Sequence, residues 1–224
     1  MKAFVTLPSW DRYIHCELFP VLAEMSADDR CDSISFPKGR PYEHALNIAV
    51  RDFLNTDCSH WINIDSDNVP TKNLLELIEL DLDFIGCPYM LWQNDGVSNP
   101  IRWGVICLDG DKPTHKGLQA VEATASGSMV VSRRVLEGMK RPFERLYDDQ
   151  GLVKRGVDYY FCDKIRNRGF KVYTHWDYRS KHFQDCLELS EIAYSYDKLC
   201  QISHLEQKTE KLLNGTFHSE KSPM

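Results

Sequence analysis

The sequence predicts an α/β fold in which a mainly parallel central sheet is flanked by helices. Three observations predict it. Short apolar runs ended by Pro or Gly recur along the chain. Stretches with apolar residues at helical spacing fall between them. The first ninety residues therefore alternate as strand, strand, helix, strand, helix, strand, the pattern of a parallel sheet with helical crossovers.

Taken in order, Phe4 to Leu7 reads as a first strand stopped by Pro8-Ser9-Trp10, and Ser33 to Phe36 as a second stopped by Pro37-Lys38-Gly39. Residues 43 to 54 carry Leu46, Ala49, Val50, Phe53 and Leu54 on one helical face. Trp61 to Ile64 is an apolar strand. Thr71 is the expected N-cap of a helix bearing Leu74, Leu75 and Ile78, and Phe84 to Cys87 is a strand closed by Pro88. The middle is less regular, with short strands expected at Val105 to Leu108 and Ser128 to Val131, and a short helix capped by Ser132. Asp158 to Arg168 is a clear helix: Phe161, Cys162 and Ile165 form its apolar side, Arg166 and Arg168 complement its carboxyl end, and Gly169 stops it. Phe170 to Thr174 is the last strand of the sheet. Residues 1–185 thus form one globular domain. Residues 186–214 read as a helical extension, whose apolar stripe suits packing on the same domain or on a second copy in a homodimer, and 215–224 as a flexible tail.

Composition bounds the function. The 224 residues suffice for a sizeable core. A net charge of −6 supplies no global field to gather nucleic acid or anionic membrane. No stretch approaches a membrane span, and the amino-terminal apolar run is too short for a signal peptide. The eight cysteines lack Cys-x-x-Cys pairs, and several sit in apolar runs (Cys87, Cys107, Cys162). That suits buried thiols in a reducing cytoplasm.

The strand Trp61-Ile62-Asn63-Ile64 runs into Asp65-Ser66-Asp67-Asn68 and stops at Pro70. Two carboxylates then sit one residue apart at the carboxyl end of a buried strand, where open α/β sheets bind ligands. Oxygen pairs so placed suit a hard divalent cation that also holds phosphate oxygens. Three further stretches follow: Ala125-Ser126-Gly127-Ser128 through Arg133-Arg134; Val157-Asp158-Tyr159-Tyr160-Phe161 leading to Arg168-Gly169-Phe170; and Ser180-Lys181-His182-Phe183.

In order and spacing these four stretches resemble GT-A-fold glycosyltransferases, especially family-2-like enzymes that use nucleotide sugars, over about residues 3 to 183. The resemblance implies a Rossmann-like GT-A sheet and a metal-dependent transferase that moves a sugar from a nucleoside-diphosphate sugar, most simply a UDP-sugar, to a hydroxyl acceptor. It implies Mn²⁺ or Mg²⁺ held by Asp67, Asp65 and His182, with Asp65 instead or also touching the ribose. An imidazole ligand suits Mn²⁺ better than Ca²⁺. Asp158 is implied as general base, with Asp148 and Asp149 in reserve. The resemblance puts the nucleotide against Thr6, Pro8, Trp10, Asn47 and Ser66, with Arg40 as a substitute cation for the diphosphate. Trp92, Trp103 and Tyr89 are candidates for the acceptor or sugar pocket, where aromatic faces pack on sugar C–H surfaces, and Gly127 would allow close approach of a sugar. The chain departs from the family pattern at Val157, where Glu is common, and at Leu46, where Arg is common.

Those departures keep a second class open, a non-catalytic sugar-nucleotide-binding or scaffold protein of the same fold. Nucleotidyltransferases share the architecture but carry a Gly-rich basic loop after the first strand, which Pro8-Ser9-Trp10-Asp11 does not supply. Phage-type glycosylation of modified DNA bases would require a basic groove. Lys112, Lys116, Arg133, Arg134, Lys140, Arg141 and Arg145 are its candidates, although the negative balance argues against DNA as acceptor.

Overall fold

The computed structural model describes residues 1–9, 13–92, 101–184, 187–190, 192 and 194. Its elements in chain order are β1 (Ala3–Thr6), α1 (Leu18–Ser26), β2 (Cys31–Ser35), α2 (Tyr42–Leu54), β3 (His60–Ile64), β4 (Asn68–Pro70), a 3₁₀ helix (Leu74–Leu80), β5 (Phe84–Gly86), β6 (Met90–Trp92), β7 (Ile101–Trp103), β8 (Val105–Cys107), β9 (Leu118–Thr124), β10 (Ser128–Ser132), α3 (Arg133–Leu136), β11 (Leu146–Tyr147), β12 (Val153–Arg155), α4 (Val157–Asn167), β13 (Val172–His175), β14 (Ser180–Gln184) and β15 (Leu187–Glu188).

Among the described residues, eight strands form one sheet in the order β2-β1-β3-β10-β5-β13-β9-β8. β1 pairs parallel with both β2 and β3, and β13 parallel with β5. β10 runs antiparallel between β3 and β5, and β9 antiparallel between β13 and β8. Six strands therefore point one way and two oppose them. The predicted α/β class holds: this is a mainly parallel, Rossmann-like sheet flanked by helices.

Alternation along the strands builds a core on each face. Trp61, Met129 and Val131 face one way, where Leu46 and Phe53 of α2 and Phe161 and Ile165 of α4 meet them. Ile62, Ile64 and Val130 face the other, against Leu18, Leu22 and Met25 of α1 and Leu74 and Ile78 of the 3₁₀ helix. β3 is buried along its whole length, which explains its largely apolar reading, Trp61, Ile62 and Ile64 around the buried Asn63.

Several expectations are corrected. α1 was not anticipated: Glu17 at its N-cap makes no side-chain cap bond, and Pro20 interrupts the pattern, although Pro is tolerated in a first turn whose N–H groups lack partners anyway. Asn73, not Thr71, caps the next helix by accepting from the Leu75 N–H at 3.0 Å, while the Thr71 hydroxyl donates to the Arg179 carbonyl. Ser132 precedes a single short turn, α3, without a side-chain cap bond. After His182 the chain forms the β14–β15 hairpin before Leu189 and Ser190 turn helical. Apart from positions 192 and 194, which are helical, the rest of the predicted carboxyl-terminal helix, the tail and the homodimer contact lie outside the described residues. No helix of the described residues is long and apolar enough to cross a membrane.

Candidate active site

The turn after β3 is fixed by backbone bonds. Asp65 N–H donates to the Gly127 carbonyl at 2.7 Å, and Asn68 N–H closes the turn on the Asp65 carbonyl at 3.0 Å. β4 then pairs antiparallel with β14, setting His182 opposite Asn68, and Phe183 N–H donates to the Asp67 carbonyl. This pairing brings His182 Nε2 to 3.6 Å from Asp67 Oδ2. His182 Nδ1 donates to the Met90 carbonyl at 2.8 Å, and its ring stands edge-on to Tyr89 at 5.1 Å. Burial alone would lower the His182 pKa, but the Asp67 carboxylate and the Met90 carbonyl raise it. Burial alone would raise the Asp67 pKa, but His182 and the Asn68 amide hold it below the ordinary carboxylate value.

A cavity of about 280 Å³ opens beside this turn, lined by Pro8, Gly39, Tyr42, Ala45, Asp65, Ser66 and Asp67. Tyr42 and Ala45 stand three apart on α2 and so share a face. The Tyr42 hydroxyl lies 2.8 Å from each Asp65 oxygen, and Asn63 Nδ2 donates to Asp65 Oδ1 at 3.0 Å. Burial first, then the Asp67 charge, pushes the Asp65 pKa up to about 8, against the two donors.

A second cavity, of about 390 Å³, adjoins Asp158 and is lined by Tyr42, Leu91, Arg145, Val157 and Tyr159 among others. Asp158 lies in the first turn of α4, where the helix dipole favours an anion. It accepts from the Ser126 hydroxyl at 2.8 Å and the Ser126 N–H at 3.3 Å. Burial raises its pKa, with those two bonds opposing. Tyr42 lines both cavities.

The structure thus gathers Pro8, Asp65, Ser66, Asp67 and His182 at one edge of the sheet and sets Asp158 in the adjoining cavity. Other predicted residues lie elsewhere. Thr6 is fully buried and its hydroxyl is engaged by Trp61 Nε1 and Asn63, so it offers nothing to a nucleotide. Asn47 clamps the Phe143 backbone, donating to its carbonyl at 2.7 Å and accepting from its N–H at 3.1 Å. It lines a separate groove with His44 and Arg51. Position 47 is two residues from Ala45 and therefore on another side of α2. Gly127 leaves no room for a sugar: a Cβ there would stand 2.7 Å from both Asn68 Nδ2 and the Tyr89 hydroxyl. Tyr89 itself is buried, its hydroxyl accepting from the Gly127 N–H. Trp103 packs edge-on against Trp176, beneath Arg179, in a different cleft with Thr71 and Lys181. Trp92 is exposed at the end of β6. Arg40 is exposed on the loop beside Gly39. Asp148 closes its own turn between β11 and β12 by accepting from the N–H groups of Gln150 and Leu152. Trp10 lies outside the described residues. The proposed basic groove also loses members: Arg133 binds the carbonyls of Phe53, Thr56 and Cys58, and Arg134 pairs with Asp81 and Asp83.

A three-ligand metal set is not assembled: among the described residues no three His, Cys, Asp or Glu side chains converge to hold an ion. Asp65 is turned into Tyr42 and Asn63. Asp67 and His182 do fit a divalent cation. Asp67 is half exposed, and the imidazole is fixed by a carbonyl at Nδ1, the support that metal-bound histidines use, with Nε2 facing Asp67.

Tyr42 and Ser126 were not singled out in the sequence as site residues. Ser126 lies two residues before the strand expected at Ser128, where nothing in the sequence marks it as a site residue. Tyr42 follows Pro41 as the first residue of α2, a position that reads as a helix start.

No protein-family model matches the chain, and no curated protein matches it. Solved structures do. A197 from STIV is 19% identical with a TM-score of 0.59, over 83% of this chain and 87% of that one. UDP-glucose pyrophosphorylase complexed with UDP-glucose is 11% identical with a TM-score of 0.46, over 88% and 99%. GalNAc-T7 with UDP, GalNAc and Mn²⁺ is 12% identical with a TM-score of 0.47, over 82% of this chain and 43% of that one. The likeness to A197 is one of fold alone; the other two are too distant to carry an argument.

Proposed function

We propose that the chain is a glycosyltransferase that moves a sugar from a nucleoside-diphosphate sugar to a hydroxyl acceptor. One observation carries the reading: two cavities share the Tyr42 wall, one flanked by Asp65 and Asp67, the other by the half-buried, hydrogen-bonded carboxylate of Asp158. Donor and acceptor need such adjoining sites. Pro8 and Gly39 would contact the nucleotide, with Arg40 near the diphosphate. Asp67 and His182 would hold a divalent cation, which when bound supplies Lewis-acid stabilisation to the departing diphosphate. Asp158 takes the proton of the acceptor hydroxyl as its oxygen bonds to the anomeric carbon, and the bond from that carbon to the diphosphate oxygen breaks with its electron pair. A carboxylate whose pKa is raised by burial is a better base near neutrality.

The test is turnover of a panel of UDP-sugars with Mn²⁺, read as release of UDP. Metal-dependent release supports the transferase. Metal-dependent binding without release supports a non-catalytic sugar-nucleotide-binding protein. Neither binding nor release overturns both readings.

A further inference from the structure

Tyr42 and Ser126 occupy a place that the proposed chemistry does not assign. The Tyr42 hydroxyl donates to Asp65 and stands 3.3 Å from Ser126 Oγ. Ser126 Oγ donates in turn to Asp158 Oδ1 at 2.8 Å, and the Ser126 N–H donates to Oδ2. An ionised carboxylate only accepts, so with Asp158 ionised the Ser126 hydroxyl hydrogen belongs to Asp158, and the single Tyr42 hydrogen is divided between Asp65 at 2.8 Å and Ser126 at the longer 3.3 Å. The result is a directed chain from Tyr42 through Ser126 to Asp158, with Asp65 sharing the Tyr42 proton. Asn63 runs a second tie alongside, donating to both Asp65 Oδ1 and the Ser126 carbonyl. Ser126 is buried and touches Tyr42, which lines both cavities, and Asp158, which lines the second.

We infer that Tyr42 and Ser126 are positioning residues that join the donor-side carboxylate Asp65 to the acceptor-side carboxylate Asp158 and hold Asp158 aimed into its cavity. The inference rests on the transferase reading for its meaning, but the chain of bonds is testable without turnover. Hydrogen bonds in series polarise one another, so losing the far donor weakens the near one. Tyr42, Asp65, Tyr89, Tyr159 and Cys162 are the titratable groups that feel Asp158, and Arg145 lines the same cavity. Tyr42→Phe preserves the ring that walls both cavities; besides the Tyr42 hydroxyl itself it removes one of the two donors that hold the Asp65 pKa down.

The experiment follows the Asp158 side-chain carboxyl resonance against pH in ¹³C-aspartate-labelled full-length protein, for the wild type, Tyr42→Phe, Ser126→Ala and the double variant, with Asp158→Asn for assignment. The expected result is an upward move of the Asp158 midpoint in Tyr42→Phe, a larger one in Ser126→Ala, and no further move in the double variant, because Ser126→Ala already cuts the chain. An unmoved midpoint in Tyr42→Phe overturns the inference, whatever the protein turns over. So does a double variant that shifts by the sum of the singles. The kinetic arm is separate. In active protein both single variants lower kcat roughly tenfold or more, as misaligned catalytic groups do, with the acid limb of the pH profile moving up and the double variant no slower than Ser126→Ala. A wild type that releases no UDP counts against the transferase reading, and the resonance arm still decides the bridge.

Discussion

Asp67→Ala is the perturbation whose size follows most directly from the geometry. Asp67 makes two side-chain contacts, a 3.0 Å bond from Asn68 Nδ2 and the 3.6 Å approach of His182 Nε2. The first does not depend on pH near neutrality and is worth about 1 kcal/mol. The second does. The Asp67 pKa is depressed from 3.8, so its contribution is present above that value and is lost as pH falls through the folded-state pKa. The His182 pKa is raised from 6.5, so its contribution is full below that value and is lost as pH rises through the folded-state pKa. Both ions coexist between about pH 4 and pH 6.5. Because the Asp67 side chain is 51% exposed, the pair belongs with surface ion pairs, at about 0.2–1 kcal/mol. A chain of this size shifts about 2–4 °C per kcal/mol, so Asp67→Ala should lower Tm at pH 5.5 by up to about 4 °C more than at pH 8.5. Thermal unfolding of the wild type and variant at both pH values, without added metal, reads this difference. Equal losses at the two pH values, or a greater loss at pH 8.5, would show that His182 is not paired with Asp67. Mn²⁺ added at pH 7.5 should raise the wild-type Tm and leave that of Asp67→Ala unchanged.

Three further outcomes are expected. Asp158→Asn should lower kcat by about 100-fold or more, the range of general-base loss, while the donor Kd changes little; equal losses in both would point to a structural role. Asn47→Ala should cost about 1–3 kcal/mol, because it strands buried groups of the Phe143 backbone, yet leave UDP-sugar affinity as it was; a matching loss of affinity would return Asn47 to the donor site. Gly127→Ala should destabilise by about 1–3 kcal/mol through overpacking, read by chemical denaturation, since its Cβ would press on Asn68 and Tyr89; a neutral substitution would mean that this turn yields easily.

The parts legible in the sequence are those where one physical signal dominates. β3 is buried on both faces and reads as a largely apolar run broken only by Asn63 after Trp61-Ile62, so the carboxylates that follow it could be placed at a strand end. α2 and α4 are amphipathic and long, and Gly169, at φ +83°, marks the end of α4 as a left-handed stop. Elsewhere the signal was mixed. α1 lacks a capping side chain and contains Pro20. β9 alternates buried and exposed positions, but it follows a segment rich in Gly and Pro that masks its start. Within the site, residue type was easier to read than direction. Asn47 sits on the predicted helix but looks toward Phe143, and Gly127 stands just before the predicted strand at Ser128 but is closed by Tyr89. Tyr42 and Ser126 escaped notice because their importance lies in what they touch across the chain: Tyr42 meets Asp65 twenty-three residues on, and Ser126 meets Asp158 thirty-two residues on.

The position of β10 explains why these particular residues meet. In a wholly parallel sheet, only the carboxyl ends of strands, and the loops that leave them, reach the ligand-binding edge. β10 runs against its neighbours, so its amino end lies at that edge, with Ser128 opposite Ile64 of β3 and Met129 opposite Gly86 of β5. The loop that enters β10 is therefore delivered between two strand ends. Its Gly127 carbonyl takes the Asp65 N–H, and its Ser126 takes hold of Asp158 on α4. One reversed strand thus supplies the link between the cavity built on β3 and the cavity built on α4. A parallel strand in the same slot would present its carboxyl end there instead, and the Ser126 contact to Asp158 would have to come from some other segment.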